Sequence, residues 1–169
     1  MAVQGTTGLY TPAQRERRDA TVWTPVQGVL APLQFAVFLV SLALVVYSLR
    51  TGEGTHWALG SVVVKTLLLY LIMVTGCIWE KVVFGQYLFA PAFFWEDVMS
   101  MLVLALHSAY LAVWTLDLWT AHEQLALALA AYAAYAINAV QYLRKLRMAR
   151  LQRPAAPSPG ALGTEGAPT

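Results

Sequence analysis

The chain has 169 residues, of which 59% are hydrophobic and only 12% charged, where roughly 25% charged is ordinary for a soluble domain. That balance describes a single domain made for lipid, with four apolar stretches using most of the length and no separate soluble catalytic domain. A formal charge of +2 excludes a nucleic-acid binder, which needs basic residues clustered against a polyanion, and the single cysteine, Cys77, builds neither a disulfide framework nor a thiolate metal site and reads as a buried structural thiol.

Residues 1–24 form an N-terminal segment. Within it Thr11-Pro12-Ala13-Gln14 has the pattern of a capping box, with threonine at the N-cap, proline in the first helical position and glutamine in the third, and predicts a short charged surface helix through Arg15, Arg17, Arg18 and Asp19. A second such pattern, Thr24-Pro25-Val26-Gln27, predicts the start of the first membrane span, 25–49, interrupted by Gln27, Pro32 and Gln34. This apolar run begins late and is too long for a cleaved leader, so it is expected to stay as an anchor. The second span, 57–80, carries Lys65, and the third, 94–118, carries His107. A third capping box, Thr120-Ala121-His122-Glu123, opens the fourth span, 121–145, with Asn138 as its buried polar group. Each span is long enough for a hydrocarbon core of about 30 Å. Trp57, Trp79, Trp95, Trp114 and Trp119 fall near the span ends, as interfacial aromatic belts do. Proline-rich residues 148–169 are expected to be a disordered tail after the transmembrane domain 25–147.

Lysine and arginine beside the spans set the orientation. Three arginines precede the first span, Lys81 follows the second, and Arg144, Lys145, Arg147, Arg150 and Arg153 follow the fourth, whereas the other side has only Arg50. The expected fold is therefore all-α, an integral membrane four-helix antiparallel bundle with both termini cytoplasmic.

The connection between the second and third spans, 81–93, is aromatic and apolar and is bracketed by acids, so it is expected to lie in the membrane interface. It serves equally as a surface anchor or as the wall and floor of a pocket for a flat apolar ligand. Glu80, Glu96 and Asp97 meet at the same boundary, because the second span ends where the third begins. Such carboxylates can be helix-dipole partners, with Glu80 and Lys81 a surface pair; they can also place a protonated acid beside an ionised base. His107 lies eleven residues beyond Glu96, roughly 16 Å along the axis and on nearly the same face. Lys65 lies at a similar depth in an antiparallel neighbour, with Tyr70 and Tyr110 close by. Both side chains are expected to face the bundle interior. Lys65 alternatively snorkels to the outer interface, and His107 alternatively makes an interhelical hydrogen bond. The sequence has no nucleotide loop, dinucleotide fingerprint, serine elbow or paired-histidine motif, which leaves acid–base chemistry on a membrane-soluble molecule.

Three segments, Arg17-Arg18-Asp19-Ala20, Trp23 to Pro32 and above all Trp79 to Asp97, resemble the vinyl bacteriochlorophyllide hydratase family of bacteriochlorophyll biosynthesis, and the likeness runs from about Tyr10 to Arg147. The resemblance implies a hydro-lyase that hydrates the C3 vinyl group of chlorophyllide a, or of its bacteriochlorin analogue 3-vinyl bacteriochlorophyllide, to a 1-hydroxyethyl group. It implies a multi-pass protein of the bacterial cytoplasmic or intracytoplasmic membrane, working as a homo-oligomer or beside other pigment-biosynthesis enzymes. No cofactor is expected, the only metal being the magnesium that the substrate carries. For that reaction Glu96 or Asp97 is the expected proton donor and Glu80 the group that orients or deprotonates water, with Lys81 shifting their balance. His107 would ligate the substrate magnesium or hydrogen-bond a ring carbonyl, Lys65 would join it in holding the substrate, and Tyr87, Phe89, Phe93, Phe94 and Trp95 would cover the ring. Access would run past Arg18 or Arg144, which suit a free propionate. Two other classes fit the same residues: a non-catalytic membrane tetrapyrrole-binding or assembly protein, and a small transporter or haem protein, the latter disfavoured by a single well-buried histidine.

Overall fold

Runs of leucine, valine and alanine broken by few helix-stopping residues produce five helices in the computed structural model, which describes residues 8–151. They are α1 (Pro12–Ala20), α2 (Trp23–Thr51), α3 (Thr55–Phe84), α4 (Phe94–Thr115) and α5 (Ala121–Leu151). The last four are long and apolar enough to cross a membrane. Even α4, the shortest at 22 residues, rises about 33 Å. The expected tail beyond 148 is helical to Leu151, and the remainder of it lies outside the described residues.

Two of the three expected capping boxes form. Thr11 accepts the Gln14 amide at 3.3 Å while the Gln14 side chain accepts the Thr11 amide at 2.9 Å. At α5 the Glu123 carboxylate takes the Thr120 amide at 2.9 Å. The box at Thr24 does not form, because α2 begins one residue earlier, at Trp23, with no side-chain cap. Thr24 instead donates to the Arg18 carbonyl at 2.5 Å and accepts the Trp79 indole at 3.0 Å, while Gln27 donates to Thr75 at 2.7 Å. These residues tie α2 to α1 and α3. Pro32 lies inside α2 without ending it, and α3 continues four residues past Glu80 to Phe84. There Gly85, at φ 87°, closes the helix in the left-handed conformation that glycine adopts without a Cβ penalty.

Hydrogen bonds fix the directions of neighbouring helices. Gln27 with Thr75, Ser41 with Ser61 and Ser48 with Thr55 pair rising numbers on α2 with falling numbers on α3, so the two run oppositely. Ser100 with Asn138, Asp97 with Tyr142 and Glu96 with Lys145 show the same for α4 and α5. The α3 to α4 loop therefore sits at one end of the molecule with α1 and the last turns of α5. Small and aromatic side chains fill the centre: Ala128, Ala131, Val62 and Val103 are buried, and Phe38 packs on the Tyr132 and Tyr135 rings at 5.3 and 4.8 Å. Small residues let helices approach closely where lipid offers no hydrophobic drive between them.

Candidate active site

The acids of the Trp79 to Asp97 stretch converge as their spacing suggests. Glu80 is on the last turn but one of α3, and Glu96 and Asp97 are on the first turn of α4. All three are buried, at 5%, 7% and 2% exposure. What brings them together is the loop 85–93, whose backbone folds onto the carboxylates. Oδ2 of Asp97 accepts the Phe89 amide at 2.7 Å, and Oε2 of Glu80 accepts the next amide, of Ala90, at 3.4 Å. Consecutive donors bring the two carboxyl groups side by side, within hydrogen-bonding reach of each other. Phe89 has φ 60°, a left-handed conformation that costs a non-glycine residue about 1 to 2 kcal/mol, and the charge-assisted bond from its amide to Asp97 holds it there.

The third acid is differently placed. Glu96 forms an ion pair with Lys145 of α5 at 2.6 Å, and the same ammonium donates to the Ala92 carbonyl. Asp97 has its own partner on α5, the Tyr142 hydroxyl, 3.4 Å from Oδ1. Asn138 completes this row by donating to Ser100 at 2.9 Å.

Beside the acids lies an aromatic cluster. Phe93 is buried at its centre, between the rings of Tyr142, Tyr10, Trp79 and Phe84 at 5.8 to 6.3 Å. It thus leaves no open face, unlike Tyr87, Phe89, Phe94 and Trp95, which are exposed. The latter three form a run of contacts, with Phe89 to Phe94 at 5.7 Å and Phe94 to Trp95 at 5.4 Å. Tyr10, from the segment before α1, stacks on Phe84 under the Arg18 guanidinium. Burial pushes the Tyr10 phenol above its ordinary value, outweighing the opposite pull of Arg18, so it acts as a neutral packing group.

Lys81 departs from its expected place. Its side chain is exposed and donates to the Gly85 carbonyl at 2.8 Å, with the Tyr87 ring 5.2 Å away. One residue along a helix is a turn of about 100°, so burying Glu80 directs Lys81 outward. It caps α3 and forms no ion pair with Glu80 or Asp97 among the described residues.

Lys65 and His107 are both fully buried, as an interior position requires. Lys65 does not reach the outer interface: its ammonium nitrogen is 3.7 Å from the centre of the Tyr135 ring and has no hydrogen-bond partner among the described residues. His107 bonds through Nδ1 to the Val103 carbonyl at 2.9 Å, within its own helix, and Nε2 is unpartnered among those residues. Its ring is 5.8 Å from that of Tyr132. Tyr110 donates to the Leu59 carbonyl at 2.9 Å, and Tyr70 pairs with Ser108 at 2.8 Å. This polar centre is separate from the acids, since ten residues of α4 between Asp97 and His107 amount to about 15 Å.

Tyr142 and Lys145 had no expected role at the site, Lys145 having been counted only as an orienting charge. Their spacing held the signal: Asn138, Tyr142 and Lys145 recur at i, i+4 and i+7, which puts three polar side chains on one face at the end of an apolar helix. Among the described residues no group of three or more His, Cys, Asp or Glu side chains could hold a metal ion.

No solved structure matches the chain. Residues 10–148 match the family described as 2-vinyl bacteriochlorophyllide hydratase (BCHF). The chain is 66% identical over 125 residues to the 2-vinyl bacteriochlorophyllide hydratase of Cereibacter sphaeroides, covering 73% of this chain and 77% of that one. It is 65% identical over 125 residues to the protein of the same name from Rhodobacter capsulatus, covering 73% and 72%. The matched span takes in α2 to α4, the loop with its two latched carboxylates and the α5 row that meets them, and on that extent of likeness the chain belongs to the 2-vinyl bacteriochlorophyllide hydratase family.

Proposed function

We propose that this protein hydrates the vinyl group of bacteriochlorophyllide at the Glu80 and Asp97 pair, with both carboxylates acting directly on the reacting atoms. The reaction itself, hydration of that vinyl group in bacteriochlorophyll biosynthesis by a hydro-lyase, follows from membership of the family. The observation that carries the choice of residues is the side-by-side placement of two buried carboxyl groups on consecutive loop amides.

A carboxylic acid transfers its proton to the terminal vinyl carbon, turning CH2 into CH3 and leaving a cation on the carbon joined to the ring, which the macrocycle delocalises. A water oxygen bonds to that carbon, and the second carboxylate takes the proton that the water loses. The product is the 1-hydroxyethyl group. Glu80 is the donor and Asp97 the acceptor, because the short bond from the Phe89 amide at 2.7 Å, joined by the Tyr142 hydroxyl at 3.4 Å, favours the charged form of Asp97, while Glu80 accepts only the Ala90 amide at 3.4 Å. The proton gained by Asp97 passes straight back to Glu80 across the gap between them, so one turnover consumes only water. This reverses the donor and acceptor expected from sequence. Glu96, neutralised by Lys145, takes no part in the proton transfers.

The exposed rings of Tyr87, Phe89, Phe94 and Trp95 cover the macrocycle, and Phe93 supports them from below. His107 does not ligate the substrate magnesium in this pose. The metal sits at the ring centre, within one ring radius of the vinyl group, and that is shorter than the roughly 15 Å from Asp97 to His107. Lys65 belongs with His107 to the bundle interior. The arginines and lysines at the end with α1, the α3 to α4 loop and the end of α5 orient both termini and the site toward the cytoplasm, in a multi-pass protein of the bacterial cytoplasmic membrane. A substrate carboxylate would then remain at the aqueous boundary while its ring enters the aromatic wall.

The test is incubation of the detergent-purified protein with the vinyl-bearing pigment in 18O-enriched water and no added cofactor. The expected result is a mass gain of one labelled water, restricted to substrates that carry the vinyl group. Pigment binding without mass gain would make the chain a carrier.

A further inference from the structure

We infer that Tyr142 is a positioning residue of the hydration site, holding Asp97 through Oδ1 so that the carboxylate faces the water it deprotonates. The inference rests on the assignment of Asp97 to the reaction. Asp97 is at the first turn of α4, where its backbone amide already bonds to the Phe93 carbonyl at 2.9 Å, so the backbone is fixed and only side-chain rotation is left to control. The Phe89 amide holds Oδ2 at 2.7 Å, and the Tyr142 hydroxyl, 3.4 Å from Oδ1, comes from a different helix and a different direction. Two donors from separate elements define the carboxylate plane, which one donor cannot do. The Tyr142 ring is itself held, lying 6.0 Å from Phe93 at an interplanar angle of 24° and half-buried in the cluster with Tyr10, Trp79 and Phe84. A rigid aromatic hydroxyl on a packed ring is well suited to fixing a reacting group, because supporting contacts decide how far that group wanders. Glu96 and Lys145 are paired with each other, so Tyr142 is the donor that α5 supplies to Asp97 among the described residues.

The discriminating variant is Tyr142→Phe, which keeps the ring and its stacking and removes only the oxygen. Assayed in the full chain purified in detergent, it is expected to lower kcat about 3- to 10-fold, the range for loss of an ordinary hydrogen bond, since at 3.4 Å the contact is longer than a strong charge-assisted one, with KM changed less than about twofold. Introduced into Asp97→Asn, it should lower the residual rate no further. A wild-type kcat in Tyr142→Phe would overturn the inference, as would an equal fold-loss in the Asp97→Asn background. Full turnover by Asp97→Asn alone would instead remove the role of Asp97, and the inference with it. Should Tyr142→Phe fail to fold, difference infrared spectra of ring-labelled wild type and Asp97→Asn make the same test without altering the tyrosine. A shifted tyrosine C–O band supports the contact, and an unshifted one overturns it.

Discussion

Substituting Glu96 by glutamine separates stability from chemistry at this site. The Glu96 and Lys145 pair is 2.6 Å long, with side-chain exposures of 9% and 25%. Breaking a fully buried pair by removing one charge costs about 3 to 5 kcal/mol. Here the cost is smaller for two reasons: a quarter of the Lys145 side chain reaches solvent, and the glutamine oxygen still accepts from the ammonium, so a neutral hydrogen bond replaces a charged one. Glu96→Gln should therefore lose about 1.5 kcal/mol, or roughly 3 to 6 °C in melting temperature for a chain of this length. Lys145→Met should lose more, because it leaves the buried Glu96 carboxylate without its counter-charge and the Ala92 carbonyl without its donor. The double variant should lose less than the two single losses added, as contacting partners do. Thermal denaturation in detergent gives the stabilities, and turnover measured on the same samples below the transition should stay within about threefold of wild type for Glu96→Gln, since no proton passes through that residue. A Glu96→Gln protein that melts like wild type but turns over a hundredfold more slowly would refute this reasoning and make Glu96 the proton donor.

The central histidine and lysine give two further expectations. His107→Ala should affect binding of magnesium-bearing and magnesium-free substrate equally in a fluorescence titration, because the imidazole lies about 15 Å along α4 from Asp97; a loss confined to the magnesium form would restore axial ligation. Lys65→Met should leave the melting temperature unchanged or raise it, since it replaces a buried amine that has no hydrogen-bond partner among the described residues with an apolar chain of similar length. A fall of several degrees would show that the contact with the Tyr135 ring outweighs the burial of the charge.

The helices were legible because a long apolar run has few alternatives in lipid, where every backbone group must be satisfied internally. Burial of Lys65 and His107 followed from the cost of charge in hydrocarbon, and convergence of Glu80, Glu96 and Asp97 from their place at the two ends of one short loop. Partners across the bundle were much harder to read. Nothing in the order of residues says that Lys145 meets Glu96, 49 positions away, until α4 and α5 are known to lie side by side in opposite directions. Local signals also competed. Thr24 and Gln27 have a good capping pattern, yet contacts with Arg18, Trp79 and Thr75 took them, because α1 and α3 pack against the start of α2. Phe93 reads as one of five similar aromatics between Tyr87 and Trp95, and only its burial among Tyr10, Trp79 and Phe84 sets it apart from the exposed ones. Adjacency in sequence says little about which way Lys81 points relative to Glu80, because consecutive helical residues point about 100° apart.

The most direct test of a Glu80 and Asp97 proton pair is single-turnover hydration of the vinyl substrate by Glu80→Gln and Asp97→Asn, with pigment binding measured in parallel. Each amide keeps the shape of its side chain and removes one proton-transfer group, a contribution of about 100- to 10,000-fold. Both variants are expected to bind pigment and to lose at least a hundredfold in rate. Wild-type turnover in either variant, in a protein that binds pigment normally, would contradict the pair and move the proton chemistry to another group.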